Sequence, residues 1–161
     1  MDSKYELKEL KVLGKNIASI RESKKLSLVE MATLLEYNRN SLSKLEYGEQ
    51  DIRFNTLKKI AQKLDVSIPF LFSRNFIDYE ELRENTYFNN ENFIGIFSKN
   101  VYEVLKKDAL IQATIGVDAE TTNRILRGAT QNPRVITLIK ISEDINRSMN
   151  YLLTEHSMKE E

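Results

Sequence analysis

The side chains that most often carry out catalysis are scarce in this sequence. It has no cysteine, and its single histidine, His156, lies in a polar C-terminal stretch. A disulfide framework and a thiolate metal site are therefore excluded, and the position of His156 argues against a histidine base or metal ligand. Carboxylates are plentiful, but none form a recognisable catalytic pair, and there is no glycine-rich phosphate loop. We therefore expect no enzymatic activity, no metal and no cofactor.

The bulk composition is that of a folded, non-membrane protein. The chain has 161 residues, of which 41% are hydrophobic and 30% are charged. This length suits one mid-sized domain or two small ones, and the composition is too apolar for disorder. No apolar run approaches the length of a membrane span, and the N-terminus has no signal-peptide core. We expect a cytoplasmic protein without membrane contact.

The formal net charge is zero, but the charge is unevenly distributed. Residues 10–73 carry eleven basic and seven acidic side chains, residues 74–92 two and five, and residues 93–153 eight and six. Only the docking face must attract a polyanion, so the distribution along the chain matters more than the total. The basic first segment remains compatible with a nucleic-acid partner.

Apolar residues recur at helical spacing between residues 10 and 72, which predicts five short helices. Ser27 and Glu30 have the spacing of a capping box, and Pro69 suits the first turn of the fifth helix. Gly48 follows the third helix, where a residue that tolerates positive φ is favoured. The residues expected to cap the second to fifth helices are Ser27, Asn38, Asn55 and Ser67.

The rest of the chain divides into an acidic segment and a second helical block. Residues 74–92 are acidic and rich in asparagine, which predicts a linker with room for one helical stretch. Residues 121–128 (TTNRILRG) resemble residues 41–48 (SLSKLEYG), 80 positions earlier. Thr137-Leu138 and Tyr151-Leu152 match Thr56-Leu57 and Phe70-Leu71 at a separation of 81. These matches predict that residues 93–153 are a degenerate copy of the first block.

The second and third predicted helices meet the steric demands of a helix-turn-helix. Two helices that cross closely need a small residue where they meet, and Ala32 occupies that position. The turn between them often contains glycine, but here it has Glu36. A non-glycine residue at positive φ is strained, so we expect this turn to differ slightly or to be mildly destabilising.

Residues 10–73 resemble the five-helix DNA-binding domain of the phage repressor family, known as the XRE or Cro/repressor type. The motifs that carry the resemblance are Leu26-Ser27, Met31-Ala32, SLSKLEYG at 41–48, and TLKKIA at 56–61 through to Leu71. The expected fold is all-α, with two small five-helix lambda-repressor-like helix-turn-helix domains in tandem. The expected boundaries are 1–73 for the first domain, 74–92 for the linker, 93–153 for the degenerate domain and 154–161 for a polar tail.

In that family the third helix places its N-terminal residues in the major groove. The resemblance therefore implies base contacts by Arg39, Asn40, Ser43 and Lys44, and phosphate contacts by Ser27, Asn38, Ser41 and Arg53. Arginine can bind guanine, and asparagine adenine, through paired hydrogen bonds. Leu28 stands where the family often has a phosphate-binding glutamine, so one backbone contact is absent.

The second block is a weaker candidate for DNA contact. Gln112 replaces the small alanine, and the carboxylates of Asp118 and Glu120 would face phosphates. Its possible DNA contacts are Asn123, Arg124 and Arg127. A structural or dimerising role for this block is the alternative.

Two functions remain open. The resemblance implies a bacterial or phage transcriptional regulator, a repressor in the simplest case, that binds a double-stranded DNA operator as a homodimer. The alternative is an antitoxin or anti-repressor, in which the same fold holds a protein partner.

Overall fold

The computed structural model of the chain describes residues 7–74, 92–107, 124–125, 127 and 132–156. We call residues 7–74 the first half and the described residues from 92 to 156 the second half. The described helices include α1 (Lys8–Ser23), α2 (Leu28–Leu35), α3 (Arg39–Glu46), α4 (Phe54–Leu64), α5 (Ile68–Leu71), α6 (Phe93–Lys107), α7 (Val135–Asp144) and α8 (Met149–Leu152). Apart from one isolated bridge between Arg53 and Arg134, the regular structure of these residues is helical, as the all-α prediction requires. The predicted linker lies almost wholly outside the described residues, so the proposed domain boundaries stay a prediction.

Three of the four predicted caps are confirmed. The Ser27 hydroxyl accepts a hydrogen bond from the Glu30 amide (3.1 Å), and the Glu30 carboxylate accepts one from the Ser27 amide (2.8 Å), which completes the capping box of α2. The Asn38 side chain caps α3, and the Ser67 hydroxyl caps α5. Gly48 has a φ of 75°, as predicted for the residue after the third helix. Each of these features depends on residues within one turn of the helix end.

The prediction that Asn55 caps the fourth helix is wrong. Arg53 occupies the cap position and α4 begins at Phe54, so Asn55 lies in the first turn. The amide of Asn55 donates to Oδ1 of Asn132 (2.8 Å), and the amide of Phe54 donates to the carbonyl of Pro133 (2.8 Å). The first amides of α4 are thus satisfied from the second half of the chain, so no local capping side chain is needed.

The turn after α2 has a residue other than glycine at positive φ, the strained case that the sequence analysis considered. Glu36 adopts a left-handed backbone (φ 53°, ψ 47°), which a side chain other than glycine enters at a cost. Its carboxylate lies 2.6 Å from Nζ of Lys63 and 3.6 Å from Nζ of Lys59, both on α4. The hydrogen bond from Lys63 and the charge of both lysines lower the pKa of Glu36. This turn is therefore tied to α4 by side-chain contacts, whereas a glycine could make none.

Several local features of the first half recur 81 residues later. Asp65 and Asn146 both end a helix with positive φ (60° and 57°). Ser67 and Ser148 both cap the short helix that follows, through their side-chain oxygens. Buried apolar residues of the two halves belong to one continuous cluster, so the halves share a core.

A buried asparagine in the first helix of each half makes the same kind of contact. Nδ2 of Asn16 on α1 donates to the carbonyls of Leu71 and Ser73, both at 2.8 Å. Nδ2 of Asn100 on α6 donates to the carbonyls of Leu152 and Thr154, both at 2.9 Å. These bonds satisfy carbonyls at the ends of α5 and α8, which have no partner within such short helices.

Glu9 is a buried carboxylate where α1 approaches the second half. Its side chain is 4% exposed and pairs with the guanidinium of Arg74 at 2.5 Å. Burial raises the pKa of Glu9, and the positive charge of Arg74 opposes that rise. Glu143 on α7 also has a pKa raised by burial, and Lys8 and Arg147 line the same cleft. Two acids with raised pKa values therefore face each other across this contact.

The Glu9→Gln variant should show a different dependence of stability on pH. Because the pKa of Glu9 is raised in the folded state, folding favours the protonated acid. The contribution of Glu9 to stability is then greatest below the ordinary glutamate pKa and declines as the pH rises through the folded value. We expect urea midpoints of the wild-type protein to fall relative to Glu9→Gln between about pH 4 and pH 8. A relative rise over that interval would contradict this account.

Candidate nucleic-acid interface

The second and third helices form a compact helix–turn–helix unit. Helices α2 and α3 are joined by three residues, and α3 also packs against α1. Leu42 and Leu45 are fully buried on the inner side of α3, and Ala32 of α2 is 7% exposed. Because the apolar positions of α3 point into the core, its polar residues are directed to the opposite side.

The structure brings together the residues expected to contact bases. Arg39 and Asn40 are exposed in the first turn of α3, and Lys44 is exposed one turn later. Nη1 of Arg39 donates to Oδ1 of Asn40 at 3.3 Å, so the two side chains are neighbours at the helix start. Ser43 is half-buried on the same helix. Their contact with DNA stays a prediction, but three of the four lie on an accessible edge.

The residues expected to contact phosphates are in two places. Ser27 and Asn38 are exposed at the starts of α2 and α3, where their side chains accept backbone hydrogen bonds, and Ser41 is half-buried in the first turn of α3. Arg53 lies at the start of α4, and its Nη1 donates to the carbonyl of Asn132 at 3.2 Å. Arg53 is exposed, but its guanidinium is engaged at the contact between the two halves.

An ion pair that the sequence analysis missed supports the C-terminal end of α3. The guanidinium of Arg21 on α1 makes two hydrogen bonds to the carboxylate of Glu46, at 2.8 and 3.1 Å. A third bond from Arg21 reaches the carbonyl of Leu26, before α2 (3.0 Å). The hydrogen bond to Glu46 raises the pKa of Arg21. One guanidinium thus links α1, α3 and the segment before α2.

Gly14 is a second residue that positions α3 and that the sequence analysis did not single out. A Cβ atom at this position would lie 2.2 Å from the Leu45 carbonyl oxygen and 2.6 Å from that of Glu46. The backbones of α1 and α3 therefore approach more closely than any side chain at residue 14 would permit. An isolated glycine within a helical pattern is the signal that could have revealed this contact.

Two of the three residues predicted to contact DNA from the second half lie among the described residues. Arg124 and Arg127 are exposed, whereas Asn123 lies outside the described residues, as do Gln112, Asp118 and Glu120. The neighbouring Ile125 is buried, and its carbonyl accepts a hydrogen bond from the Ser98 hydroxyl of α6 (2.9 Å). The contact of these arginines with DNA stays a prediction.

Neither a metal-ion cluster nor a membrane-spanning helix is found among the described residues. They contain no group of three histidine, aspartate or glutamate side chains that could hold a metal ion. None of the helices among them is both long enough and apolar enough to cross a membrane. Tyr47 is 71% exposed just after α3, beside the polar edge formed by Arg39, Asn40 and Lys44.

Comparison with known proteins finds similarity in the first half. The antitoxin PezA of Streptococcus pneumoniae serotype 4 (strain ATCC BAA-334 / TIGR4) is 38% identical over 56 residues, which are 35% of this chain and 35% of that protein. The chain thus spans about a third of the length of this curated relative, and no solved structure matches it significantly. Residues 17–71, which include α2 and α3, match the family model described as Helix-turn-helix.

Proposed function

We propose that the protein is a sequence-specific regulator of transcription that binds double-stranded DNA. Repression is its simplest mode of action, and the cytoplasm is its proposed location. The observation that carries the proposal is the exposed pair Arg39 and Asn40 at the start of α3, within the segment that matches the helix-turn-helix family. A regulator needs a polar helix edge that can enter the major groove, and α3 has one.

Each exposed side chain has a chemical role in this proposal. Arg39 donates two hydrogen bonds to guanine, and Asn40 pairs with adenine, because these side chains match the major-groove edges of those bases. Lys44 contacts a base or a phosphate one turn later. The backbone amides at the starts of α2 and α3, near Ser27 and Asn38, attract phosphates because the helix dipoles are positive there.

The second half, in this proposal, is a degenerate copy of the first. The support is the recurrence of helix ends, capping serines and buried asparagines at separations of 81 to 84 residues. The sequence of the copy has Asp118 and Glu120 where the first block has Asn38 and Asn40, and two carboxylates there would repel phosphates. We assign it a structural role first and a role in DNA contact second.

Selection of bound fragments from random duplex DNA tests the proposal. We expect enrichment of one short sequence and an affinity for it that falls steeply with salt, with a slope of about −0.9 in log K against log [salt] for each phosphate neutralised. The selected sequence should then be assayed beside a scrambled duplex of equal length. Equal affinity for both duplexes would contradict sequence-specific regulation.

A second candidate is an antitoxin-type protein that also holds a protein partner, and the likeness to PezA favours it. Copurification of a partner protein, repeated with duplex DNA present and absent, separates the two candidates. Partner binding without DNA affinity would favour the second. The homodimer that the family resemblance implies stays a prediction.

A further inference from the structure

The contact between the two halves is reciprocal at its centre. The amide of Phe54 donates to the carbonyl of Pro133 at 2.8 Å, and the amide of Val135 donates to the carbonyl of Ile52 at 2.8 Å. Phe54 and Val135 are 81 residues apart in sequence, as are Ile52 and Pro133. Each half therefore gives and receives the same hydrogen bond, on either side of an antiparallel bridge between Arg53 and Arg134.

A second pair of hydrogen bonds lies outside the first pair and is reciprocal in the same way. The amide of Asn55 donates to Oδ1 of Asn132 (2.8 Å), and the amide of Ile136 donates to Oδ1 of Asp51 (3.3 Å). These donors are again 81 residues apart, and so are the acceptors. The starts of α4 and α7 thus cap each other through equivalent side chains.

The short helices α5 and α8 extend the contact. They pack against each other, and Nδ2 of Asn150 donates to the carbonyl of Pro69 at 2.8 Å. Asn150 and Pro69 occupy equivalent positions of their halves, so this contact joins a position to its own counterpart. Contacts of that kind occur where a twofold axis passes, as in symmetric dimers.

We infer that the chain is a single-chain pseudo-dimer that binds DNA as a monomer through two faces, the exposed edge of α3 and a second face at Arg124 and Arg127. The edge formed by the start of α4 and by α5 is the surface in question, and the chain's own second half already covers it with main-chain and side-chain hydrogen bonds. A second copy of the chain is then not needed at this edge. The DNA part of the inference rests on the proposed function.

The pseudo-twofold relation assigns residues of the second half as counterparts of residues at the end of α3. In the first half, Gly14 of α1 lies against the carbonyl of Leu45. In the second half, Ser98 of α6 donates to the carbonyl of Ile125. Ile125 is therefore held by α6 as Leu45 is held by α1. Arg124 is then the counterpart of Lys44, and Arg127, three residues later, is the counterpart of Tyr47.

The two faces differ in what they can recognise. The first has Arg39 and Asn40, which can distinguish bases, whereas the described part of the second has the exposed guanidinium groups of Arg124 and Arg127. Arginine side chains are common phosphate ligands, so we assign these two to phosphate contact. The operator should therefore have one specified half-site, flanked by about one further DNA turn of protected but unspecified sequence.

The assembly is tested with the full chain, first without DNA. We expect light scattering to give the mass of one chain at micromolar concentration, and titration to give one chain per selected duplex. We also expect selection to enrich one half-site without its inverted repeat. A dimer in solution, two chains per duplex, or an inverted-repeat operator would overturn the inference, and the first of these measurements does not depend on DNA binding.

The second face is tested with the double variant Arg124→Ala/Arg127→Ala. It should weaken binding to all sequences evenly, lower the salt slope by about 1 to 2, and shorten the hydroxyl-radical footprint on the unspecified side. Lys140→Ala, an exposed cation on α7, is the control for net charge and should leave the footprint length unchanged. An unchanged footprint in the double variant would show that Arg124 and Arg127 do not contact DNA, and the proposed function would remain intact. A loss of sequence preference would contradict the assignment of these two residues to phosphate contact.

Discussion

The double variant Arg39→Ala/Asn40→Ala should lose its preference for the selected operator and retain the weak, salt-dependent affinity for any duplex. Each paired hydrogen bond between a side chain and a base contributes about 1–3 kcal/mol of discrimination, so losing both should lower specific affinity by about 30-fold or more. Both side chains are exposed, and their hydrogen bond at 3.3 Å is to each other and not to the core. The thermal unfolding of the variant should therefore match that of the wild-type protein.

Arg39→Lys separates base recognition from charge. Lysine preserves the positive charge, but it lacks the planar pair of donors that matches guanine. We expect this variant to retain non-specific affinity and its salt slope while losing preference at one base pair. Competition gel shifts with operators changed at single positions would measure this. If Arg39→Lys and Asn40→Ala together keep the wild-type preference, the start of α3 does not select the sequence.

The features that could be predicted from sequence are those determined within a few residues. The capping box at Ser27 and Glu30 and the cap at Asn38 span one turn each, so residue type and spacing were sufficient. The exposure of Arg39 and Asn40 follows from the burial of Leu42 and Leu45 on the same helix, because helical periodicity relates the two faces.

The features that the sequence analysis missed depend on contacts between distant segments. Asn55 looked like a helix cap, but the amides at the start of α4 are satisfied by Pro133 and Asn132, which lie nearly 80 residues away. The ion pair of Arg21 with Glu46 spans 25 residues and joins two helices whose packing no local pattern specifies. Spacing along one chain segment carries no information about such partners.

Gly14→Ala should be strongly destabilising, although helix propensity alone predicts the reverse. Alanine in a helix interior is favoured over glycine by about 0.5–1 kcal/mol. Here, however, its Cβ would lie 2.2 Å from a backbone oxygen of Leu45, and backbone cannot move aside as a flexible side chain can. Helix α1 must shift away from α3, so we expect a net loss of about 1–3 kcal/mol in the free energy of unfolding, as for other overpacked cores.

The same variant also tests how the candidate site is held in place. A displaced α1 loosens its packing against α3 and strains the bond from Arg21 to Glu46, so operator affinity should fall together with stability. Lys15→Ala, at an exposed position of α1, is the matched control and should stay within about 0.5 kcal/mol of the wild type. Ser98→Ala should cost only the value of one hydrogen bond, about 1 kcal/mol, because α6 already accommodates a Cβ beside Ile125. If Gly14→Ala instead raises the unfolding midpoint in urea, then α1 and α3 do not approach closely, and the orientation deduced here for Arg39 and Asn40 loses its support.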